Sequence, residues 1–162
     1  MEAYSAVTDS VVGVDISWEM IDLARWKDYN CPVQFSLLDA HSLSFRPGVF
    51  DAAVATFWFS HVPRERVAEF LEGLHRVLGR NSTVFLADNV YVSGLGGCLL
   101  KQEGGDNTYK RRRFSDGTEH KVLKNYYSLN ELTALIGASS KGAAPIDTFF
   151  GNYYWYVAYR CP

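Results

Sequence analysis

Residues 11–17, Val-Val-Gly-Val-Asp-Ile-Ser, decide the fold expected for this chain. Their β-branched run is typical of a parallel strand that is covered on both faces. Asp15 falls at the carboxyl end of that strand, where open α/β sheets bind ligands and where an acid commonly holds the two hydroxyls of a ribose. Ser17 is suited to cap a helix that begins at Trp18. The stretch predicts a site for a nucleoside-shaped ligand; the alternative is an ordinary strand-to-helix turn in which Asp15 only caps.

The composition predicts a single domain over residues 1–162. Apolar residues make up 48% of the chain, charged residues make up 21%, and the formal net charge is −2. This charge favours neither a nucleic-acid partner nor a membrane partner, and no apolar stretch reaches the length of a membrane span. Cys31, Cys98 and Cys161 lack metal-ligand spacing and are odd in number. We therefore expect reduced thiols, no metal, no secretory signal and a cytoplasmic location.

The rest of the chain alternates strands with helices and then closes on a hairpin. Strands are predicted at 33–37, 52–57 and 83–87, and helices at 18–28 and 63–78, the second ending at Gly79 in the left-handed conformation. Ser128-Leu129-Asn130-Glu131 is a capping box, and Gly151-Asn152 joins two final strands at 146–150 and 153–160. The predicted fold class is α/β, a Rossmann-like, doubly wound and mostly parallel sheet with a C-terminal antiparallel hairpin.

Six pieces of this pattern, in their order and spacing, carry a family resemblance. They are Val12–Ser17, Asp39-Ala40, Phe50-Asp51, the helix end Leu74–Leu78, Val84–Asp88 and the terminal hairpin. Together they resemble the class I S-adenosylmethionine-dependent methyltransferases over nearly the whole chain. A Rossmann dehydrogenase shares the strand-acid-helix unit, but it accounts for neither Asp39-Ala40 nor the final antiparallel strand.

The resemblance implies that S-adenosylmethionine is the cofactor and that the first two strands hold its nucleoside half. Asp15 would accept hydrogen bonds from the ribose hydroxyls, and Ile16 would pack on the adenine face. Asp39 and Ala40 would read the adenine edge, with the acid accepting from the amino group. The role of Asp15 stands beside the simpler possibility that it only caps the turn.

The loop that leaves the third strand contains the candidates on the acceptor side. By resemblance, Thr56 and Phe57 would border the methionine arm and the methyl group. His61 is the candidate base if the acceptor must lose a proton during attack, and a structural role is the alternative. Acceptor-binding candidates at the ends of the third and fourth strands are Trp58, Phe59, Asn89 and Tyr91. For the aromatic members of this set, core packing is the alternative.

The family's Gly-rich cofactor loop is missing from the sequence. It should lie roughly 20 residues before the acid, but only fourteen residues precede Asp15 and none before Gly13 is glycine. We therefore expect a domain that is truncated at its N-terminus and lacks its first strand. Three consequences are open: the strands at 11–16 and 52–57 pair with each other, a homodimer covers the gap, or the fold is marginally stable.

The function predicted from these observations is transfer of a methyl group to a small-molecule acceptor rather than to nucleic acid. Thr56-Phe57-Trp58-Phe59 stands where amino-methylating nucleic-acid enzymes carry an Asn-Pro-Pro-Tyr-like sequence. A catalytically silent remnant that serves as a binding module is the alternative, and a nicotinamide-dependent oxidoreductase is a third. The basic run Lys110–Arg113, with Lys121 and Lys124 nearby, is interpreted as a solvated face, with recognition of an acidic substrate group as its alternative.

Overall fold

The computed structural model describes residues 1–95, 97–102, 104–114, 116–139 and 145–161. The chain forms two compact units, Met1–Phe45 and Arg46–Pro162. Each unit has its own strands and helices, and each is described by itself below. No described helix has both the length and the apolar character needed to cross a membrane.

The first unit is a two-stranded parallel sheet with two helices. Its elements are α1 (Glu2–Ser5), β1 (Val11–Asp15), α2 (Trp18–Arg25) and β2 (Val33–Leu37). Strand β1 pairs with β2 in parallel, so that Asp15 lies opposite Leu37. The Ser17 Oγ accepts the Met20 N–H at 3.2 Å and caps α2, as the sequence predicts. The two predicted strands are confirmed, and the helix ends three residues earlier than expected.

The second unit is built on a four-stranded mixed sheet. Its strands are β3 (Phe50–Thr56), β4 (Leu78–Asn89), β8 (Pro145–Phe150) and β9 (Tyr154–Arg160), in the order β3-β4-β9-β8. Strands β3 and β4 are parallel, whereas β9 is antiparallel to both of its neighbours. Helices α3 (Val67–Val77) and α4 (Leu129–Ser139) complete the core of this unit. The buried side chains of the sheet include Val84, Leu86, Trp155, Val157 and Tyr159.

The end of α3 differs from the prediction. Two 3₁₀ turns, Phe59–His61 and Arg64–Arg66, precede the helix, which passes directly into β4 at Leu78. Leu78 is already extended and pairs with Phe50, so the helix ends by joining the sheet rather than by a glycine cap. The left-handed conformation expected at Gly79 is therefore wrong, and the nearby positive φ is 62° at Asn81.

A second sheet in this unit was not predicted from the sequence. Strands β5 (Leu99–Lys101), β6 (Thr108–Arg113) and β7 (Glu119–Leu123) form an antiparallel meander in the order β5-β6-β7. Of the strand pairs described, only β1–β2 and β3–β4 are parallel. The prediction of a mostly parallel sheet is therefore wrong, because the chain adds antiparallel pairs after β4.

Strands β1 and β3 belong to separate sheets in the described part of the chain. The pairing of 11–16 with 52–57, one of the three consequences left open by the sequence, is not among the described strand pairs. Each of these strands has hydrogen bonds along one edge, to β2 and to β4 respectively. A sheet edge without a partner offers free backbone groups to a further strand. The homodimer expected from the sequence stays a prediction.

Candidate active site

The carboxyl end of β1 presents an acid and an exposed apolar side chain. Asp15 is half-buried, and its Oδ1 accepts the backbone N–H of Ser17 at 2.9 Å. Its Oδ2 has no hydrogen-bond partner among the described residues. Ile16, which follows it, is 70% exposed. The capping role and a ligand-binding role are therefore compatible, because each uses a different carboxylate oxygen.

Asp39 lies in the turn that follows the neighbouring strand. The Leu38 N–H donates to the Asp15 carbonyl oxygen at 3.0 Å, so this turn begins beside the end of β1. The Asp39 Oδ1 accepts the His41 N–H at 2.9 Å, and the side chain of Asp39 is exposed. Ala40 is half-buried beside it. The first unit thus brings Asp15, Ile16, Asp39 and Ala40 to one end of one sheet, and their roles toward a cofactor stay predictions.

The carboxyl end of β3 carries a strained residue. Phe57 has a φ of 57°, in the left-handed region that bulky side chains avoid. Its N–H donates to the Ala87 carbonyl oxygen at 2.8 Å, which holds the residue against β4. Both Phe57 and the preceding Thr56 are exposed. Strain of this kind persists where the surrounding structure enforces it, and it is common at functional sites.

The strain at Phe57 predicts an unusual order of stability between two variants. Phe57→Gly and Phe57→Ala both remove the ring, but only alanine keeps a Cβ in the left-handed region, which costs about 1–2 kcal/mol. We expect the glycine variant to unfold at a higher urea concentration than the alanine variant, by about 1 kcal/mol in the free energy of unfolding. At a residue with negative φ, the alanine variant is expected to be the more stable of the two. An alanine variant that is the more stable of the two would contradict the assigned backbone conformation.

The aromatic residues that follow Phe57 have different surroundings. Trp58 is half-buried, whereas Phe59 is 0% exposed. The Phe59 ring packs edge-on against Tyr127, with 5.1 Å between centroids, and against Trp155, with 5.9 Å. Such pairs stabilise a core beyond the area they bury. The packing alternative therefore describes Phe59, since its side chain presents no surface to an acceptor.

A buried ion pair positions the turn that contains His61. Asp88, near the end of β4, is fully buried, and its Oδ2 accepts the Ser60 N–H at 2.8 Å. The Lys124 Nζ donates to the Asp88 Oδ1 at 3.0 Å and to the Ser60 Oγ at 2.7 Å. Sequence reasoning assigned no role to Asp88. Asp88 could have been recognised from the sequence, because it directly follows the apolar strand predicted at 83–87.

The same surroundings affect the protonation of His61. Burial of the imidazole is the largest effect and lowers its pKa, and the Lys124 charge lowers it further. The Asp88 carboxylate and a hydrogen bond with the Leu123 backbone act in the opposite direction, but the pKa remains below the ordinary value. His61 is therefore more often neutral at neutral pH than a solvated histidine, which is the form that accepts a proton.

The remaining acceptor-side candidates lie after β4. The Asn89 N–H donates to the Asp88 Oδ1 at 2.7 Å, and the side chain of Asn89 is half-buried. Tyr91 is exposed, and its ring packs edge-on against Tyr126 with 5.3 Å between centroids. The second unit therefore brings Tyr91 and Asn89 close to the residues that surround His61.

The basic run is only partly solvated. Arg111, Arg112 and Arg113 are exposed, but Lys110 is buried, as is Lys124. The prediction of a solvated face is therefore wrong for both lysines. Their burial depends on β6 and β7, which the sequence pattern did not reveal. The described residues contain no group of three or more His, Cys, Asp or Glu side chains placed to hold a metal.

Residues 1–81 match the family model that describes a methyltransferase domain. The chain belongs to the methyltransferase-domain family. This match confirms the family resemblance of the sequence. The family assignment covers half of the chain and includes β1, β2, β3 and the turn with His61.

Solved methyltransferase structures share the fold of this methyltransferase-family chain. The complex of DhpI with SAH has a TM-score of 0.76 and 23% identity, covering 99% of this chain and 70% of DhpI. An S-adenosylmethionine-dependent methyltransferase from Methanosarcina mazei has a TM-score of 0.70 and 20% identity, and the match covers 98% of this chain and 84% of that protein. A third structure is the 1,6-didemethyltoxoflavin-N1-methyltransferase of Burkholderia thailandensis with bound 1,6-didemethyltoxoflavin and S-adenosylhomocysteine. It has a TM-score of 0.63 and 14% identity, and the match covers 99% of this chain and 74% of that protein. No curated protein matches the chain.

Proposed function

We propose that this methyltransferase-family chain binds S-adenosylmethionine at the carboxyl ends of β1 and β2 and transfers its methyl group to a small-molecule acceptor. The observation that carries the proposal is the adjacent pair of acids, Asp15 and Asp39. Each uses one carboxylate oxygen to hold the turn after its strand. Each keeps a second oxygen without a hydrogen-bond partner in the part of the chain that the structure describes.

These residues fit the nucleoside half of the cofactor. The free oxygen of Asp15 can accept from both hydroxyls of a ribose, as acids at this place in α/β sheets commonly do. Ile16 offers an exposed apolar surface for an adenine face, and Asp39, beside Ala40, offers an acceptor for its amino group. When bound, the cofactor supplies a methyl group that is already activated as a sulfonium.

On the acceptor side, the chain supplies alignment and a base. By the family resemblance, Thr56 and Phe57 would border the methyl group, and the hydrogen bond from the Phe57 N–H to the Ala87 carbonyl oxygen holds that end of β3 against β4. His61, mostly neutral, is the group that accepts a proton from the acceptor. Trp58, Asn89 and Tyr91 form the surrounding surface. The small-molecule class is supported by the ligand of the Burkholderia neighbour.

The test is a calorimetric titration with S-adenosylhomocysteine. We expect micromolar binding by the wild-type chain, and Asp15→Ala is expected to weaken it at least about tenfold. Hydrogen bonds to a charged group contribute about 1.5–3 kcal/mol, and about 1.4 kcal/mol corresponds to tenfold in affinity. The matched control is Asp22→Ala, which removes an exposed carboxylate of the same unit whose described partner is Arg25 on the surface of α2.

Three outcomes would contradict the proposal in different ways. No detectable heat from a folded chain would favour the silent remnant. Equal losses in Asp15→Ala and Asp22→Ala would show that the ligand does not use the end of β1. Binding of a nicotinamide cofactor in place of S-adenosylhomocysteine would favour the oxidoreductase.

A further inference from the structure

One face of the β5–β7 sheet concentrates positive charge. Lys110 and Arg112 alternate along β6, so their side chains lie on the same face. The ladder places Arg112 opposite His120, and it continues to Lys124, whose N–H donates to the Thr108 carbonyl oxygen at 2.9 Å. This face therefore contains three cations and no carboxylate of β6 or β7. The acid of β7, Glu119, lies on the opposite face.

Lys110 is a buried cation without a carboxylate partner among the described residues. It is 6% exposed, and its Nζ donates to the Leu95 carbonyl oxygen at 2.7 Å. The Nζ also lies over two aromatic rings, 5.6 Å from the centroid of Tyr91 and 5.5 Å from that of Tyr126. One carbonyl oxygen and two ring faces leave two of the three ammonium protons for a further acceptor. Burial of a charge is costly unless that charge is paired, so this position favours an anion.

Arg112 is the second free cation at this place. Its guanidinium has neither a hydrogen bond nor an ion pair to any described residue, although it lies two residues from Lys110 on the same face. Burial is the largest effect that lowers the pKa of His61, and the Arg112 charge adds to it; burial raises the pKa of Tyr126, and the Arg112 charge opposes that rise. Arg112 therefore faces the same region as the candidate base. Lys124 differs from both, because its charge is already paired with Asp88.

We propose that the methyl acceptor contains an oxyanion group, and that Lys110 and Arg112 bind this group beside the rings of Tyr91 and Tyr126. Arginine is suited to a carboxylate or phosphoryl group because its planar fork donates two parallel hydrogen bonds. The two tyrosine rings bind the apolar part of the same molecule. The inference rests on the proposed methyl transfer for its identification of the ligand as the acceptor, but the anion site can be tested without the cofactor.

The probe is phenyl phosphate, which joins an oxyanion to an aromatic ring, and phenol is its neutral counterpart. Calorimetric titration of the full chain is expected to show binding of phenyl phosphate and at least about tenfold weaker binding of phenol. Arg112→Gln and Lys110→Met are each expected to weaken the binding of phenyl phosphate about tenfold or more. The matched control is Arg113→Gln, which makes the same change on the opposite face of β6 and is expected to stay within about twofold.

The outcomes separate a built site from general attraction of anions. The proposal would be overturned if Arg112→Gln and Arg113→Gln lost the same affinity for phenyl phosphate. Equal binding of phenol and phenyl phosphate would also overturn it. Lys110→Met is expected to keep the unfolding midpoint of the wild-type chain, since it removes a buried charge that no described carboxylate balances. Phenyl phosphate binding without S-adenosylhomocysteine binding would keep the anion site and refute the proposed methyl transfer. Binding of S-adenosylhomocysteine without binding of phenyl phosphate would refute the anion site and leave the proposed methyl transfer in place.

Discussion

Lys124→Met is expected to lower the free energy of unfolding by about 3–5 kcal/mol. The side chains of Lys124 and Asp88 are 6% and 1% exposed, so removal of the ammonium leaves a buried carboxylate without its counter-ion. The Ser60 Oγ loses its donor at the same time. Urea unfolding, followed by tryptophan fluorescence, measures the change.

The control is the double variant Lys124→Met with Asp88→Asn. It removes both charges, and replacing a buried pair is much less costly than breaking it. We expect the double variant to recover a large part of the stability that the single variant loses. A single variant as stable as the wild-type chain would show that water reaches Asp88, and it would remove the ion pair as the support of the His61 turn.

Phe59→Ala is expected to cost about 3–5 kcal/mol, the range for removing a buried aromatic side chain. Three rings enclose Phe59, those of Phe70, Tyr127 and Trp155. The cavity left behind lies between α3, β9 and the segment before α4. The same urea titration gives the measurement.

Phe114→Ala is the matched control for this variant, because it removes the same ring from a position that is 52% exposed. We expect its cost to stay below about 1 kcal/mol. A cost for Phe59→Ala no greater than that of Phe114→Ala would show that Phe59 is accessible, and it would restore the acceptor-binding role considered from the sequence.

Local sequence features predicted the parts of the fold whose causes are local. The alternation at 33–37 was sufficient for β2, and Ser17 was sufficient for the start of α2. The capping box is also confirmed, since the Ser128 N–H donates to the Glu131 Oε2 at 2.7 Å. Asp15 could be found as a candidate because it ends an apolar strand, whereas Asp39 was found through the family resemblance.

The candidates that depend on distant contacts were beyond such reasoning. Asp88 and Lys124 are separated by 36 positions in the chain and meet only because β4 and β7 end near the same turn. Asp116-Gly117 is a turn signal between β6 and β7, but strands β5–β7 lack a strong apolar alternation. Their pairing follows from packing over the second unit, which a local pattern does not encode.

The sequence by itself determined that a strand ending in Asp15 leads into a capped helix, and that this unit belongs to a nucleotide-binding type of α/β fold. Periodicity and capping are properties of neighbouring residues, so they can be identified without coordinates. Only the tertiary structure decided which charges are buried. It placed Lys110 and Lys124 in the interior, left Arg113 of the same basic run in solvent, and assigned Phe59 to the core. Burial depends on what the rest of the chain packs against each side chain, and that information is not local.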